Sequence, residues 1–115
     1  MKFLLDTNFV MIPVQFKVDI YSELSEFGLP EIFVLDLVLQ ELSSLGKPGK
    51  LALEILQSHS PKILKSPGKI TDNEILKAAR SGFTVCTQDR ILAKKLKLSG
   101  IPVITLRQKK YLVQK

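Results

Sequence analysis

Apolar residues run along the chain in short blocks whose spacing alternates between that of strands and that of helices. Residues 2–5 form a brief apolar strand that ends at Asp6. Asp6-Thr7-Asn8 turns into an apolar segment broken at Pro13, and a helix is expected over residues 17–27. There Ile20, Tyr21, Leu24 and Phe27 keep the spacing of a buried stripe, and Gly28 and Pro30 stop it. Residues 32–35 read as a second strand, with Asp36 placed to cap a helix over 37–45. The run Gly46-Lys47-Pro48-Gly49-Lys50 reads as a loop, followed by a helix over 51–59. Residues 62–65 fit a short strand and Ser66-Pro67-Gly68 a turn. Thr71 and Glu74 have capping-box spacing at the start of a helix that reaches about Ser81. A β-branched strand over 83–87, a helix over 89–98 and a last strand over 102–106 complete the pattern.

Strands that alternate with helices imply right-handed crossovers and a parallel sheet covered on both faces. The expected fold is α/β, a single domain over residues 1–115 with a three-layer α/β/α arrangement around four to five parallel strands. Open sheets of this kind bind ligands beyond the C-terminal strand ends. Asp6 lies at one such end and Asp89 just past another.

Two further acids stand out on helical wheels. Glu41 falls within the arc of Leu37, Val38, Leu42 and Leu45, and Asp72 projects along the stripe of Ile75, Leu76 and Ala79. A carboxylate buried without a partner costs several kcal/mol, so each needs a compensating group or an escape to solvent. Asp72 and Asp89 can each be read as a helix cap or as a ligand. Taken together, Asp6, Glu41, Asp72 and Asp89 make a set of like charges that a cation or a shared proton would hold together. A metal-dependent phosphodiesterase makes chemical sense of such a set. Asn8 and Thr87 are polar neighbours suited to orienting carboxylates or to forming turns.

Composition narrows the metal. There is one cysteine, Cys86, and one histidine, His59, which excludes an intrachain disulfide, a zinc ribbon and a histidine-rich centre. Oxygen ligands point to Mg²⁺ or Mn²⁺. Cys86 reads as a small core residue and His59 as a helix-end surface group. No apolar run is long enough to cross a bilayer and no signal peptide is evident, so a soluble cytoplasmic protein is expected.

The formal charge is +6, from 17 basic and 11 acidic side chains. With the four site acids set aside, the surface is strongly basic, which suits RNA or a solvated lysine-rich face. Lys47, Lys50, Lys94, Lys95 and Arg107 are candidate phosphate contacts, and Tyr111 beside the basic tail is a candidate stacking group.

The order Asp6-Thr7-Asn8, Glu41, Asp72 and Thr87-Gln88-Asp89 resembles the PIN-domain ribonucleases over essentially the whole chain. Residues 11–20 look more like the PIN proteins of small-subunit rRNA processing than like the toxin members. The resemblance implies a metal-dependent endoribonuclease acting on single-stranded RNA. One or two Mg²⁺ or Mn²⁺ ions would be held by Asp6 and Asp89, with Glu41 and Asp72 completing the shell. Asn73 stands where relatives often carry a second acid, which would reduce it to an outer-shell role. A homodimer, ribosome-assembly proteins or an antitoxin are the implied partners. A non-catalytic RNA-binding PIN module of a ribosome-assembly complex is the rival reading, and a ribonuclease toxin of a toxin–antitoxin pair is the alternative within the enzyme reading. A receiver domain lacks its paired acids here, and haloacid-dehalogenase chemistry lacks its second aspartate after Asp6-Thr7.

Overall fold

A computed structural model describes residues Met1–Lys115. The elements run β1 (Lys2–Leu5), α1 (Thr7–Val10), α2 (Ile12–Phe16), α3 (Ile20–Leu24), β2 (Glu31–Leu35), α4 (Asp36–Ser44) and α5 (Gly46–Gln57). They continue with β3 (Lys62–Leu64), α6 (Thr71–Ala79), β4 (Thr84–Cys86), α7 (Arg90–Leu98), β5 (Val103–Arg107) and β6 (Tyr111–Gln114). The strands form one sheet in the order β3-β2-β1-β4-β5-β6, parallel except for β6. The expected α/β fold is borne out, with a sixth strand added at one edge.

The strand order fixes where a site can form. From β1 the chain steps outward to β2 and β3, then returns past them to β4 and steps outward the other way to β5. Right-handed crossovers therefore put α1–α5 on one face and α6 and α7 on the other. Observed packing agrees, since α1 touches α4 and α5, α2 touches α5, and α6 touches α7. The direction reverses between β1 and β4, and the crevice beyond their C-terminal ends is the switch point where such sheets bind ligands. Asp6 follows β1 directly, and its backbone N–H donates to the carbonyl of Cys86, the last residue of β4, at 3.0 Å. Beneath this crevice 30 buried apolar residues form one cluster, so the strand ends rest on a packed floor.

Several local expectations are corrected. Residues 46–50 are not a loop but the last residues of a tight α4–α5 corner and the first turn of α5. Gly46 takes the left-handed conformation (φ +69°) that ends α4, and Pro48 falls in a first turn, where a missing N–H costs nothing. Gly49 is required by packing, because a Cβ there would lie 2.0 Å from the Leu42 carbonyl oxygen. Pro13 likewise opens α2 rather than breaking a segment. The helix expected over 17–27 begins only at Ile20. Lys17 ends α2 in the left-handed region, and Asp19 accepts from the Ser22 N–H as the new cap.

Thr71 and Glu74 form no capping box. Glu74 is buried and accepts from the Gly68 N–H at 3.0 Å, while Lys77 pairs with it at 3.0 Å. Residues 107–110 are a turn rather than a free tail. Gln108 and Lys109 both sit at positive φ, and β6 returns antiparallel to β5. His59 stacks on buried Tyr21 with ring centroids 3.9 Å apart. Cys86 is fully buried, as expected.

Candidate active site

Asp6, Glu41, Asp72 and Asp89 all line one cleft of about 350 Å³ at the switch point, together with Thr7, Asn8 and Thr71. Each arrives on a different element. Asp6 caps α1 immediately after β1, Glu41 sits in α4, Asp72 in the first turn of α6, and Asp89 caps α7.

Asp6 is the buried member, at 5 % exposure. Its Oδ1 accepts from the Thr7 N–H at 2.8 Å, and its Oδ2 accepts from the Thr87 hydroxyl at 2.8 Å. Burial pushes its carboxyl up from the ordinary 3.8 to about 6; those two donors pull the other way, and the charges of Asp72 and Glu41 add to the rise. No lysine or arginine pairs with it. Asp72 is also raised, first by burial and then by Asp89, against a lowering by Lys95 and with a further push from Glu41. Asp6 and Asp72 thus both feel the charge of other acids lining the cleft.

Glu41 takes the second of its two expected courses, an escape to solvent, and lies exposed on the rim. The helix edge it occupies opens to solvent, so it bears no burial cost. Its Oε1 accepts from two hydroxyls, Thr7 at 2.9 Å and Thr71 at 2.7 Å. Those threonines were not assigned this role from sequence. Thr71 was read as a cap, and nothing local signals a partner 30 residues away.

Asp89 turns out to be cap and cleft residue together. One oxygen, Oδ1, accepts from the N–H groups of Ile91 (2.9 Å) and Leu92 (3.1 Å). Its other oxygen has no hydrogen-bond partner within the protein, and neither does either oxygen of Asp72 or the second oxygen of Glu41. Asp72 caps nothing, since α6 begins without a side-chain cap.

Thr87 links two of the acids. Besides donating to Asp6, its hydroxyl oxygen accepts from the Asp89 N–H at 3.1 Å. Asn8 acts one step further out, its Oδ1 accepting from the Gln88 N–H at 3.0 Å. Gln88 in turn accepts from the Thr105 hydroxyl and the Leu106 N–H, both at 2.7 Å, locking the segment after β4 onto β5. Asn73 does not reach the cleft; it is exposed beside Lys69 and Lys77 on another part of α6. Lys47 and Lys50 lie exposed at the start of α5, and Lys95 is near enough to influence Asp72. Lys94 and Arg107 line grooves on the far side of Asp89.

The donor set is made of carboxylate oxygens with threonine hydroxyls between them, and it contains neither histidine nor cysteine. That chemistry fits a hard divalent cation, whose remaining positions water commonly fills. The acids are spaced apart, with no three of them drawn into a closed chelate.

The mostly parallel sheet with acids at its switch point defines an α/β domain of the open-sheet class, and residues 3–109 match the family model described as a PIN like domain. The chain belongs to the PIN-like domain family. It is 32 % identical over 114 residues to ribonuclease VapC9 of Archaeoglobus fulgidus, covering 91 % of this chain and 82 % of that protein. It is 29 % identical over 119 residues to the rRNA-processing protein FCF1 of Saccharomyces cerevisiae, covering 97 % of this chain and 63 % of that longer protein. Among solved structures, the PIN domain endonuclease Utp24 superposes with a TM-score of 0.87 at 23 % identity, covering 99 % of this chain and 90 % of that one. A domain of a functionally unknown protein from Methanocaldococcus jannaschii superposes at 0.66 with 22 % identity, covering 92 % and 91 %. These superpositions bear on the fold.

Proposed function

We propose that the cleft is the active site of a metal-dependent endoribonuclease that hydrolyses single-stranded RNA in rRNA processing. One observation carries this reading: four carboxylates from four separate elements converge at the switch point, and the buried one has no cationic partner. Such an arrangement is costly in isolation and is relieved by a divalent ion.

Asp6 and Asp89 would hold Mg²⁺ or Mn²⁺ most directly, with Glu41 and Asp72 completing the set. A bound ion of this kind supplies charge that polarises a phosphodiester and acidifies an attacking water. The chain's own residues do the positioning. Thr87 fixes the Asp6 carboxylate and the start of α7 together, so two acids from distant segments keep one relative placement. Thr7 and Thr71 hold one oxygen of Glu41 and leave the other without a partner. Asp89 spends one oxygen on its cap and keeps the second available.

The likeness to VapC9 favours a ribonuclease, and the likeness to FCF1 favours the rRNA-processing setting. The open spacing of the acids is the observation that favours a second reading, an RNA-binding module without catalysis. Cleavage of a single-stranded RNA in Mn²⁺, Mg²⁺ or EDTA, with wild type and Asp6→Asn side by side, separates the two. The nuclease reading expects metal-dependent cutting by wild type alone. Binding without cutting under every condition would favour the module.

A further inference from the structure

We propose that a basic groove beyond Asp89 carries the RNA backbone away from the acidic cleft. This rests on RNA being the ligand, as read above, and adds the path that the strand takes.

Asp89 lines the acidic cleft on one side and a groove of about 380 Å³ on the other, between the start of α7 and the β5–β6 hairpin. Arg90, Arg107 and Lys115 line that groove. Arg90 and Lys115 also line a second groove of about 340 Å³, which continues along α7 past Lys94 and Lys97. The two grooves therefore form one track with cations along its length. The chain's ion pairs are Lys62–Glu31 and Lys77–Glu74, so none of these cations is neutralised by a carboxylate.

The track is also built to stay in place. Its floor includes the Gln88 side chain, fixed by the Thr105 hydroxyl and the Leu106 N–H. The hairpin that carries Arg107 turns through Gln108 and Lys109, both at positive φ, and pairs Arg107 with Tyr111. Directly opposed residues of an antiparallel pair share a sheet face. Tyr111, 39 % exposed, is thereby set beside Arg107 where an unpaired base can stack on it. A row of unpaired cations with one aromatic beside it, leading out of a cleft suited to phosphodiester chemistry, matches a single strand.

The test compares two triple variants with the same change in net charge. The groove variant is Arg90→Gln with Arg107→Gln and Lys115→Gln. The control is Lys62→Gln with Lys65→Gln and Lys69→Gln, on and after the opposite edge strand. Binding of a fluorescein-labelled oligouridine is measured by anisotropy in EDTA over a salt series. Each cation withdrawn from phosphate contact lowers the salt slope by about 0.7, so the groove variant should lose about 2 from the slope and roughly tenfold or more in affinity at low salt. The control should track wild type in both.

Equal losses in the two variants would reduce the effect to overall charge and overturn the track. Wild-type affinity in the groove variant would also overturn it and leave the surface open to an acidic protein partner. Failure of wild type to bind the oligonucleotide at all would overturn it as well. The nuclease reading is judged separately by metal-dependent cleavage. Groove-dependent binding without cutting would sink that reading alone, and cutting without groove dependence would sink the track alone.

Discussion

The Thr87 hydroxyl donates to Asp6 Oδ2 at 2.8 Å, joining two residues that are 81 positions apart in the chain. The same oxygen accepts the Asp89 N–H at 3.1 Å. One buried threonine thus sets the spacing between the acid after β1 and the acid after β4, which are the two most direct candidates for holding an ion.

Replacing Thr87 with valine keeps the shape and removes both bonds. The buried Asp6 carboxylate then loses a donor, and a loss of about 1–3 kcal/mol in stability is expected. Urea denaturation would show it as a lower midpoint with an unchanged slope, and Thr87→Ser should recover most of it. If the valine variant were as stable as wild type at neutral pH, the bond would be of little energetic consequence.

Asp72 has no hydrogen bond to lose and no cap to break. Asp72→Asn should therefore raise the melting temperature of the metal-free protein by a few degrees, by removing like-charge repulsion. It should also abolish Mn²⁺-dependent cleavage. A drop in metal-free stability would mean that the side chain supports α6 in a way the hydrogen bonds do not show.

Gly49 tests how Glu41 is placed. α5 lies so close to α4 that a Cβ at Gly49 would meet the Leu42 carbonyl at 2.0 Å, one residue from Glu41. Gly49→Ala should cost about 1–3 kcal/mol, because backbone rather than a flexible side chain must move. Chemical denaturation measures the cost. A neutral result would require the α4–α5 corner to be looser than described.

Asp6 gives the metal-free protein a pH dependence of definite sign. Its folded value of about 6 lies above the ordinary 3.8, so the folded state holds a proton that the unfolded chain has already released. Stability from this group is complete below 3.8, falls as pH rises towards about 6, and stays low above it. The loss is about 2–3 kcal/mol. Asp36 and Glu74 run the other way. The Ser66 hydroxyl lowers the first and the Gly68 N–H the second, so their contributions fade as pH falls below the ordinary carboxylate range. Subtracting the pH profile of Asp6→Asn, recorded in EDTA, isolates the Asp6 contribution. A difference that grew in the opposite direction would contradict the burial of this carboxylate.

The sheet, the strand-end positions of Asp6 and Asp89, and the acid set were legible because they follow from local alternation and from chain direction. What escaped was specified by contacts between distant residues. Gly46, Pro48 and Gly49 carry the composition of a loop, yet one ends a helix, one begins the next and one fits under a neighbouring carbonyl. The β6 strand was hidden because its turn uses Gln108 and Lys109 at positive φ, without the Asn-Gly pair that marks such turns. The wheel that put Glu41 in an apolar arc was right about the angle. It had no means of knowing that this edge faces the cleft. For Asp89 the choice between cap and ligand resolves on the cap side for one oxygen only, since Oδ1 caps α7 and Oδ2 has no partner within the protein.

The central claim is that the four acids form one cation site, and a Mn²⁺ titration followed by thermal melting at pH 7 tests it most directly. Without metal, Asp6→Asn should melt above wild type, because it lacks the buried charge. Saturating Mn²⁺ should reverse the order, raising wild type by several degrees, since a ligand that binds only the folded state stabilises it, and leaving Asp6→Asn nearly unmoved. Equal responses of the two proteins to Mn²⁺ would contradict the claim.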